Sequence, residues 1–507
     1  CNLNQVEASF MKDQEVGSTD LTNLLFNEFI LGRVGNLSDD DQIIVDHVKE
    51  TLGNWWSFHD WSRQKCKDMY INMRFRGKQL TWRDLPQDWM NEWELGPYNY
   101  PTDFGACCFL APHLNLDPTN SSLTYEDMYH GLNADAKNGE TNGFDLVLDA
   151  EQWNYAYYEA NAAGFKISLH HHADKPMIQF SSQLINSGTE TLINLKPLVS
   201  YTTDAAISKF APEERGCYSD GEVNLTVFNY NDGYRYEMNN CLINQGIEDI
   251  IFNCRCKPRF YSECGDCEYN YAPFLSYCTG KGLYCANTRM KSLGSGQMPE
   301  ENDIIVPEAL ENPTLLGNSS YNVSKPDAIV CIPDCKVQEN NNQMSYAPYP
   351  QLGNFFYQKT FCDVASHIWQ VTCQNQNRTF FMNLKQPELC QTLGDFEDYF
   401  GNTSSCADWP GNYFNIYADP NDTLINEMYQ YGRDNLALIH IVIQSPYVTK
   451  IKRDVEMSFT SYIANTGGII GLCLGFSFIS GFELIFWCCC CCREFKKKLE
   501  SMVQINT

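Results

Sequence analysis

The first residues that could do chemistry form a polar break in an apolar stretch near the end of the chain. Gly475-Phe476-Ser477 lies among 36 residues between Glu456 and Arg493, in which Glu483 is the only acidic or basic residue. Rings of backbone carbonyls replace the water shell of an ion in pores, and a glycine break frees such carbonyls. A carboxylate within a bilayer costs about 2.5–3.5 kcal/mol or more, so Glu483 is expected to face water, ions or a partner. The pattern predicts a membrane segment that contacts cations.

The elements around this break must place it within a bilayer. A span needs about 20 helical residues, so the stretch exceeds one plain span and predicts a helix that starts outside or is interrupted. Gly467, Gly471 and Gly475 recur every four residues, with Gly468 alongside, which is the pattern of closely packed membrane helices. Two simpler interpretations stay open. The glycines could only dimerise a single-pass receptor, and Glu483 could only form an ion pair that fixes helix assembly.

The charges that follow the stretch predict its orientation. Arg493 and Lys496–Lys498 make the end basic, and basic flanks are cytoplasmic. The large domain is therefore expected outside the cell. The run Cys488–Cys492 suits S-palmitoylation, or equally serves as apolar filler. The sequence shows no secretory signal, and its start at Cys1 without methionine predicts a fragment.

Cysteines and glycosylation acceptors indicate an oxidising compartment for the large domain. Of 24 cysteines, 18 lie between Cys1 and Cys406, and an even set favours disulfides whose pairing stays open. Eight Asn-x-Ser/Thr acceptors precede residue 450 and none follows it, which indicates a glycosylated ectodomain. The acceptors are Asn36, Asn120, Asn224, Asn318, Asn322, Asn377, Asn402 and Asn421.

The charge balance excludes a nucleic-acid partner. Six basic and five acidic residues after position 450 leave 30 Lys and Arg against 58 Asp and Glu before it. Such a field repels nucleic acid and concentrates cations. Acidity could also serve only to keep a secreted domain soluble.

Other candidate sites are weaker. Cys254-x-Cys256 with Cys264-x2-Cys267 has the spacing of a zinc site, but in an oxidising compartment disulfides are the better account. His170 and His172 could share a strand face as a metal or proton sensor, although packed or solvated histidines are the simpler interpretation. Because no Gly-x-Ser-x-Gly or His-Glu-x-x-His motif is present, no enzyme, cofactor or metal is expected.

The large domain mixes strand and helix signals. Short apolar runs predict strands over Phe165–Leu169, Met177–Phe180 and Leu438–Ile443. The spacing over Asp40–Leu52 predicts a helix. Residues 288–326, rich in glycine and proline, predict a long irregular connection. The fold class expected is α+β, braced by disulfides.

The apolar stretch resembles the second transmembrane helix of the degenerin/epithelial sodium channel family. That family has a Gly-x-Ser selectivity filter, with Gly-Gly upstream and a glutamate six residues after the serine. Gly475-Phe476-Ser477, Gly467-Gly468 and Glu483 stand at the same spacing. Asn465 stands where acid-sensing relatives carry aspartate, and Phe476 where alanine or serine is common. These differences leave the stimulus and the degree of sodium selectivity open.

The resemblance runs through the rest of the chain to about residue 483. The first segment, Cys1–Asn4, is similar to the residues that follow the family's first transmembrane helix, which would then precede this fragment. Further similar segments are Gly105–Phe109, Gly164–His170 with Pro176, Glu213–Tyr218, Asn240-Cys241, Cys254–Pro258 and Cys331–Cys335.

The resemblance implies a palm, finger, thumb, knuckle and β-ball domain over residues 1–450. It implies a pre-pore segment and second transmembrane helix over 451–492, and a short cytoplasmic tail over 493–507. The implied function is a subunit of a voltage-independent, amiloride-sensitive sodium channel in the plasma membrane. Its partners would be sodium ions, the lipid bilayer, and like or related subunits in a homotrimer or heterotrimer. The implied stimulus is extracellular, with protons or a peptide preferred to force.

Residues besides the filter are assigned through the same resemblance. Gly471 belongs with Gly467 and Gly468 to the residues expected to line the pore or take part in gating. Ala464 stands where bulky residues in degenerins hold the pore open, and Asn465 lies beside it. Pro446 and Tyr447 are expected to couple the ectodomain to the pore. A disulfide-rich single-pass receptor or adhesion protein without a pore is the alternative.

Overall fold

We describe the protein from a computed structural model. It divides into two compact units, one comprising Cys1–Ser200 and Gly216–Ile451, the other Tyr201–Arg215 and Lys452–Thr507. The structure describes residues 38–40, 42–43, 45–46, 64, 66–75, 78–79, 98–103, 105–109, 143–152, 163–170, 174–219, 221–227, 236–258, 277–278, 280–295, 330–374, 387–444, 447–457, 459–475 and 478–503.

The described residues form runs of strands and runs of helices, the pattern of an α+β fold. The strands are β1 Tyr70–Phe75, β2 Lys78–Gln79, β3 Tyr98–Thr102, β4 Gly105–Phe109, β5 Phe144–Asp149, β6 Gly164–Ile167, β7 Gln183–Asn186, β8 Thr189–Thr202, β9 Lys336–Pro348, β10 Leu436–Ile443 and β11 Thr449–Arg453. The helices are α1 Cys66–Met69, α2 Ile178–Ser181, α3 Asp204–Lys209, α4 Pro212–Arg215, α5 Met238–Cys254, α6 Gly280–Ser295, α7 Leu352–Phe355, α8 Lys359–Ile368, α9 Pro387–Gly394, α10 Glu397–Phe400, α11 Gly411–Tyr417, α12 Asp422–Asn435, α13 Phe459–Leu474 and α14 Phe478–Val503.

A mixed sheet of seven strands organises the fold. Its order is β11–β8–β10–β5–β1–β2, and β9 also pairs with β8. β10 lies inside the sheet, antiparallel to β5 and parallel to β8. Its sequence of leucine, isoleucine and valine suits a strand packed on both faces. Leu146 of β5, Ile193 of β8 and Ile439 of β10 are buried together against one face.

A cluster of aromatic side chains packs helices α7–α12 against the sheet. Phe356, Phe361, Trp409 and Tyr413 are buried with ring centroids 5.0–5.7 Å apart where they touch. Val147 of β5 belongs to the same cluster. Aromatic pairs at this separation add about 0.5–1.5 kcal/mol each beyond their buried area. The cluster therefore fixes α8 and α12 relative to the end of β5.

Helices α5 and α6 form a separate, disulfide-braced cluster. Apolar residues of α5 at helical spacing, including Ile243, Ile247 and Ile250, are buried, which is the pattern of an amphipathic helix. The helix ends where Arg255 adopts φ = 55°, a left-handed conformation that stops helices. Val227, which precedes α5 in the chain, packs in the same core.

Seven disulfides lie among the described residues, which agrees with the predicted oxidising compartment. Cys254 and Cys256 each form one, so disulfides rather than zinc account for these two cysteines. The sulfur of Cys107 lies 3.2 Å from the Thr102 hydroxyl. Cys1, Cys264 and Cys267 lie outside the described residues. The bonds join Cys66–Cys108, Cys217–Cys335, Cys241–Cys331, Cys254–Cys285, Cys256–Cys278, Cys362–Cys406 and Cys373–Cys390.

The predicted elements are confirmed in part. The strand predicted over Leu438–Ile443 is confirmed as β10, and that over Phe165–Leu169 overlaps β6. The strand predicted over Met177–Phe180 is wrong, because Ser181 closes a helical turn there by donating its N–H to the Met177 carbonyl. The predicted irregular connection is also wrong over 288–295, where α6 continues.

The second unit contains α3, α4, α13 and α14. Thr203 caps α3 with its side chain, donates its N–H to the Arg453 carbonyl at 3.0 Å and donates its hydroxyl to Asp454 at 2.8 Å. Hydrogen bonds from Lys452 and then Thr203 lower the pKa of Asp454 to about 2. Within the described ranges, none of the helices combines the length and the apolar character needed to cross a bilayer.

Candidate functional site

The apolar stretch is interrupted at Gly475, where the sequence predicts a filter. α13 ends at Leu474 and α14 begins at Phe478. Gly475 adopts φ = 61°, in the left-handed region that glycine enters without steric cost. The last carbonyls of a helix have no intrahelical partners, so the backbone oxygens in the last turn of α13 take their partners from outside the helix. Phe476 and Ser477 lie outside the described residues.

A stripe of small residues leads along α13 to the break. At 100° per residue, Ala464, Gly468 and Gly471 fall within roughly 60° of one another on the helix. Among described residues, nothing lies within 4 Å of where a side chain at Gly467 or Gly468 would begin. Small residues on an open face allow another helix to approach closely. The structure thus places these predicted pore residues on one helix.

Many exposed side chains on α13 and α14 are apolar. Large exposed apolar patches mark contacts with a membrane or with another subunit. Leu472 is the most exposed of them at 89%. The other exposed apolar side chains include Tyr462, Ile463, Ile469, Ile479, Phe482, Leu484, Ile485, Phe486 and Trp487.

The two polar residues predicted for the pore lie on different helices. Asn465 is on α13, and its amide donates to the Met457 sulfur at 3.8 Å. Glu483 is exposed on α14, with the exposed apolar side chains of Phe482 and Leu484 on either side. The helix break at Gly475 therefore separates the glycine stripe from the carboxylate.

The predicted coupling segment follows β10. Tyr447 is 82% exposed, and Pro446 lies outside the described residues. β10 ends at Ile443, and the chain resumes as β11 from Thr449. The coupling role of Pro446 and Tyr447 stays a prediction.

β10 also carries a polar site that the sequence analysis missed. His440 Nδ1 lies 2.7 Å from an Asp145 oxygen of β5, and Nε2 lies 3.1 Å from a Glu190 oxygen of β8. The hydrogen bond to Asp145, followed by its charge and that of Glu190, raises the pKa of His440 although burial opposes this. A lone histidine inside the apolar run Leu436–Ile443 was the available signal.

The histidine run, which the sequence offered only as a weaker candidate for a sensor, is described at His170 alone. His170 follows the end of β6 rather than lying on a strand, and it is partly buried. His171 and His172 lie outside the described residues. The shared strand face on which that interpretation depended is therefore absent at His170.

Three of the eight predicted glycosylation acceptors are described, and all three are exposed, namely Asn224, Asn402 and Asn421. Asn402 and Asn421 also accept backbone hydrogen bonds as helix caps, from Ser404 and Leu424. Exposure makes them accessible to modification, which itself stays a prediction. The acceptors outside the described residues are Asn36, Asn120, Asn318, Asn322 and Asn377.

The run Cys488–Cys492 lies in the middle of α14. Its side chains are exposed except for Cys490, which is partly buried. α14 continues to Val503, so no helix boundary separates the cysteines from the predicted tail at 493. Palmitoylation stays a prediction.

Comparison with known proteins places these residues in context. The sequence pattern of the family described as "Amiloride-sensitive sodium channel" matches residues 1–487. The epithelial sodium channel subunit gamma of Neoceratodus forsteri is 30% identical over 143 residues, which is 28% of this chain and 20% of that protein. The matched part thus spans about a fifth of the relative's length. Such proteins are ion channels, not enzymes. Since the family match covers nearly the whole chain, including the helix break at Gly475, this protein belongs to the amiloride-sensitive sodium channel family.

Proposed function

We propose that the chain is a subunit of a trimeric, voltage-independent, amiloride-sensitive cation channel that prefers sodium. One observation carries this: within the family match, a left-handed glycine separates two helices that bear many exposed apolar side chains. The name of the relative, an epithelial sodium channel subunit, supports sodium as the ion and assembly with other subunits, alike or related. Family membership favours this function over a receptor without a pore.

The proposed filter works through backbone oxygens. Three copies of Gly475-Phe476-Ser477 would surround the pore axis, with carbonyls replacing part of the hydration shell of sodium. The side chain of Phe476 would point away from the axis. The small residues of α13 would let the three helices pack closely enough to form this ring.

Charge supplies the attraction and direction of flow in this proposal. The chain carries a net charge of −27, and a domain of this sign raises the cation concentration at its surface. Three copies of Glu483 would form an inner acidic ring that titrates as a coupled set, or a contact that locks the subunits together. When the cell interior is negative, inward movement of one positive charge across the membrane is favourable by about 2.3 kcal/mol per 100 mV of membrane potential.

The proposed layout follows from the same assignment. Residues 1–450 form the glycosylated gating domain outside the plasma membrane, residues 451–492 the pore segment, and residues 493–507 a cytoplasmic tail. An extracellular stimulus, protons or a peptide, would act through Pro446-Tyr447 on α13. A bulky residue at Ala464 would hold the pore open.

Voltage-clamp recording from oocytes that express the full-length transcript tests the function. Acid and neuropeptides are applied to the wild type, and Ala464→Trp is recorded without any stimulus. A standing, amiloride-sensitive cation current in the variant is the expected result. Absence of such a current from both proteins would refute the channel assignment for a homomer.

A pair of glycine variants, made in the Ala464→Trp background, tests the filter. Gly475→Ala is expected to weaken the preference for sodium over potassium, because alanine costs about 1–2 kcal/mol in left-handed backbone. Gly481→Ala is the matched control, since Gly481 lies within α14. Equal reversal potentials in the two variants would contradict the filter assignment.

A further inference from the structure

Three side chains of types that bind metals converge beyond the end of β5, in the first unit. Asp149 is the last residue of β5, Glu151 follows two residues later, and His367 lies in the last turn of α8. One ligand atom of each lies within 4.8 Å of the other two. Asp149 Oδ2 and His367 Nε2 are 4.0 Å apart.

The backbone turns sharply to bring the two carboxylates together. Glu151 adopts φ = 43°, a left-handed conformation that is uncommon outside glycine, and its N–H donates to Asp149 Oδ1 at 2.9 Å. Asn435 fixes the residues on either side of Glu151. The Ala150 N–H donates to the Asn435 backbone carbonyl, and the Gln152 N–H donates to the Asn435 side-chain oxygen, each at 2.8 Å. The surrounding structure thus holds a strained turn that places Glu151 beside Asp149.

Burial makes the charge of this cluster costly. Asp149 is 0% and Glu151 1% exposed, and the side chain of His367 is 12% exposed. Buried charged groups are costly unless they are paired, and of the three side chains only the imidazole can carry a positive charge. A divalent cation between them would place positive charge close to both carboxylates.

We propose that Asp149, Glu151 and His367 bind a divalent transition-metal ion, for which zinc is the best match. One imidazole with two carboxylates is a donor set that zinc accepts, leaving a fourth position for water. Calcium prefers six to eight oxygen ligands, which this set does not offer. Tetrahedral zinc at about 2.0–2.2 Å places its ligands roughly 3.3–3.6 Å apart. The side chains need to close by about an ångström from their present positions.

The residues around the cluster already orient its ligands. The Tyr431 hydroxyl of α12 donates to Asp149 Oδ2 at 2.6 Å, as outer-shell partners of metal ligands do. One turn before His367, Asp363 binds the Asn72 amide of β1 at 2.8 Å and Lys359 at 3.1 Å. A metal here would therefore clamp the sheet to the aromatic helices as a structural ion.

The test uses the full-length chain, purified in detergent and stripped of metal by a chelator. Zinc chloride is then added and bound zinc is counted by plasma mass spectrometry after gel filtration. Wild type is expected to hold one zinc per chain, and His367→Gln and Glu151→Gln none. His440→Gln is the matched control, since it removes another histidine that lies between two carboxylates, and it should retain the zinc.

Stability and spectroscopy supply independent readouts. At 100 times its dissociation constant, zinc should lower the unfolded fraction of wild type about 100-fold. Zinc X-ray absorption of wild type is expected to show nitrogen and oxygen ligands at about 2.0–2.1 Å, which decides the case even if a variant fails to fold. Three results would each overturn the site: no bound zinc in wild type, zinc retained in both cluster variants, or a sulfur shell. In the first case the cluster is a hydrogen-bonded network that shares a proton.

Discussion

His440 is expected to make folding stability depend on pH, and His440→Gln removes that dependence. Its pKa is raised above 6.5, chiefly by the Asp145 hydrogen bond. The charged imidazole therefore adds its full contribution to the free energy of unfolding below about pH 6.5. That contribution is lost as pH rises through the pKa of His440 in the folded state. The charged groups facing it are Asp145 on β5 and Glu190 on β8, with Arg74 of β1 paired opposite Asp145.

The magnitude follows from the two contacts. His440 and Asp145 are 23% and 25% exposed in their side chains and lie 2.7 Å apart, and a charged hydrogen bond of this kind contributes about 1.5–3 kcal/mol. The Glu190 side chain is 47% exposed, and its oxygen lies 3.1 Å from His440 Nε2. Because solvent screens this pair, its contribution to stability is limited to about 0–1 kcal/mol. The neutral imidazole keeps a hydrogen bond of about 0.5–1.5 kcal/mol. The loss in free energy of unfolding caused by His440→Gln should thus be smaller at pH 8.5 than at pH 5.5, by about 1–1.5 kcal/mol.

Thermal unfolding of the purified full-length protein, followed by tryptophan fluorescence, measures this cost. The unfolding entropy of a chain this long corresponds to about 1 °C per kcal/mol. His440→Gln should lower Tm by about 1.5–3 °C at pH 5.5 and by about half as much at pH 8.5. Glu190→Gln, the control, should change Tm by at most about 1 °C. An equal or larger loss for His440→Gln at pH 8.5 would refute the charge-based account.

Two further predictions concern the first unit. A disulfide that closes a longer loop restricts the unfolded chain more. Cys362→Ser opens a loop of 44 residues and should lower the free energy of unfolding by about 4 kcal/mol, whereas Cys390→Ser opens a loop of 17 residues and should lower it by about 3 kcal/mol. Denaturant unfolding checks that order. Asn421→Ala and Thr423→Ala both remove one glycosylation acceptor, so both should migrate faster on gels unless deglycosylated. Only Asn421→Ala also loses the α12 cap, which should make it about 1 kcal/mol less stable; equal stability would contradict the capping role.

The local sequence pattern predicted those elements whose conformation follows from their own apolar residues. β10 was predicted because a run of this length that is apolar except for His440 suits a strand inside a sheet. The strand predicted over Met177–Phe180 was wrong because four residues, three of them apolar, are too few to show a period. Its conformation depends on a distant group: the Ile178 N–H donates to the Asp103 carboxylate at 2.7 Å. Propensity cannot anticipate a partner 75 residues away.

The same limit applied to the polar sites. His440 and Asp145 are separated by 295 residues and Asp149 and His367 by 218, so neither pair has a local signature. They meet because β10 pairs with β5 and because the aromatic cluster fixes α8 beside the end of β5. By contrast, the residues predicted for the filter are contiguous. Their types and spacing could be read without knowing the fold.

The proposed filter would also accommodate an unusual side chain such as that of Phe476. Carbonyl coordination uses atoms that every residue has, so the sequence need only supply a residue that lets the helix stop and turn. Gly475 does so at φ = 61°, where a side chain would add strain. In a trimer, how closely the three copies of the filter segment approach one another would depend instead on small residues such as Gly468 and Gly471 of α13. We therefore propose that ion passage depends on the backbone at Gly475, and that the degree of ion preference depends on helix packing more than on the ring of Phe476.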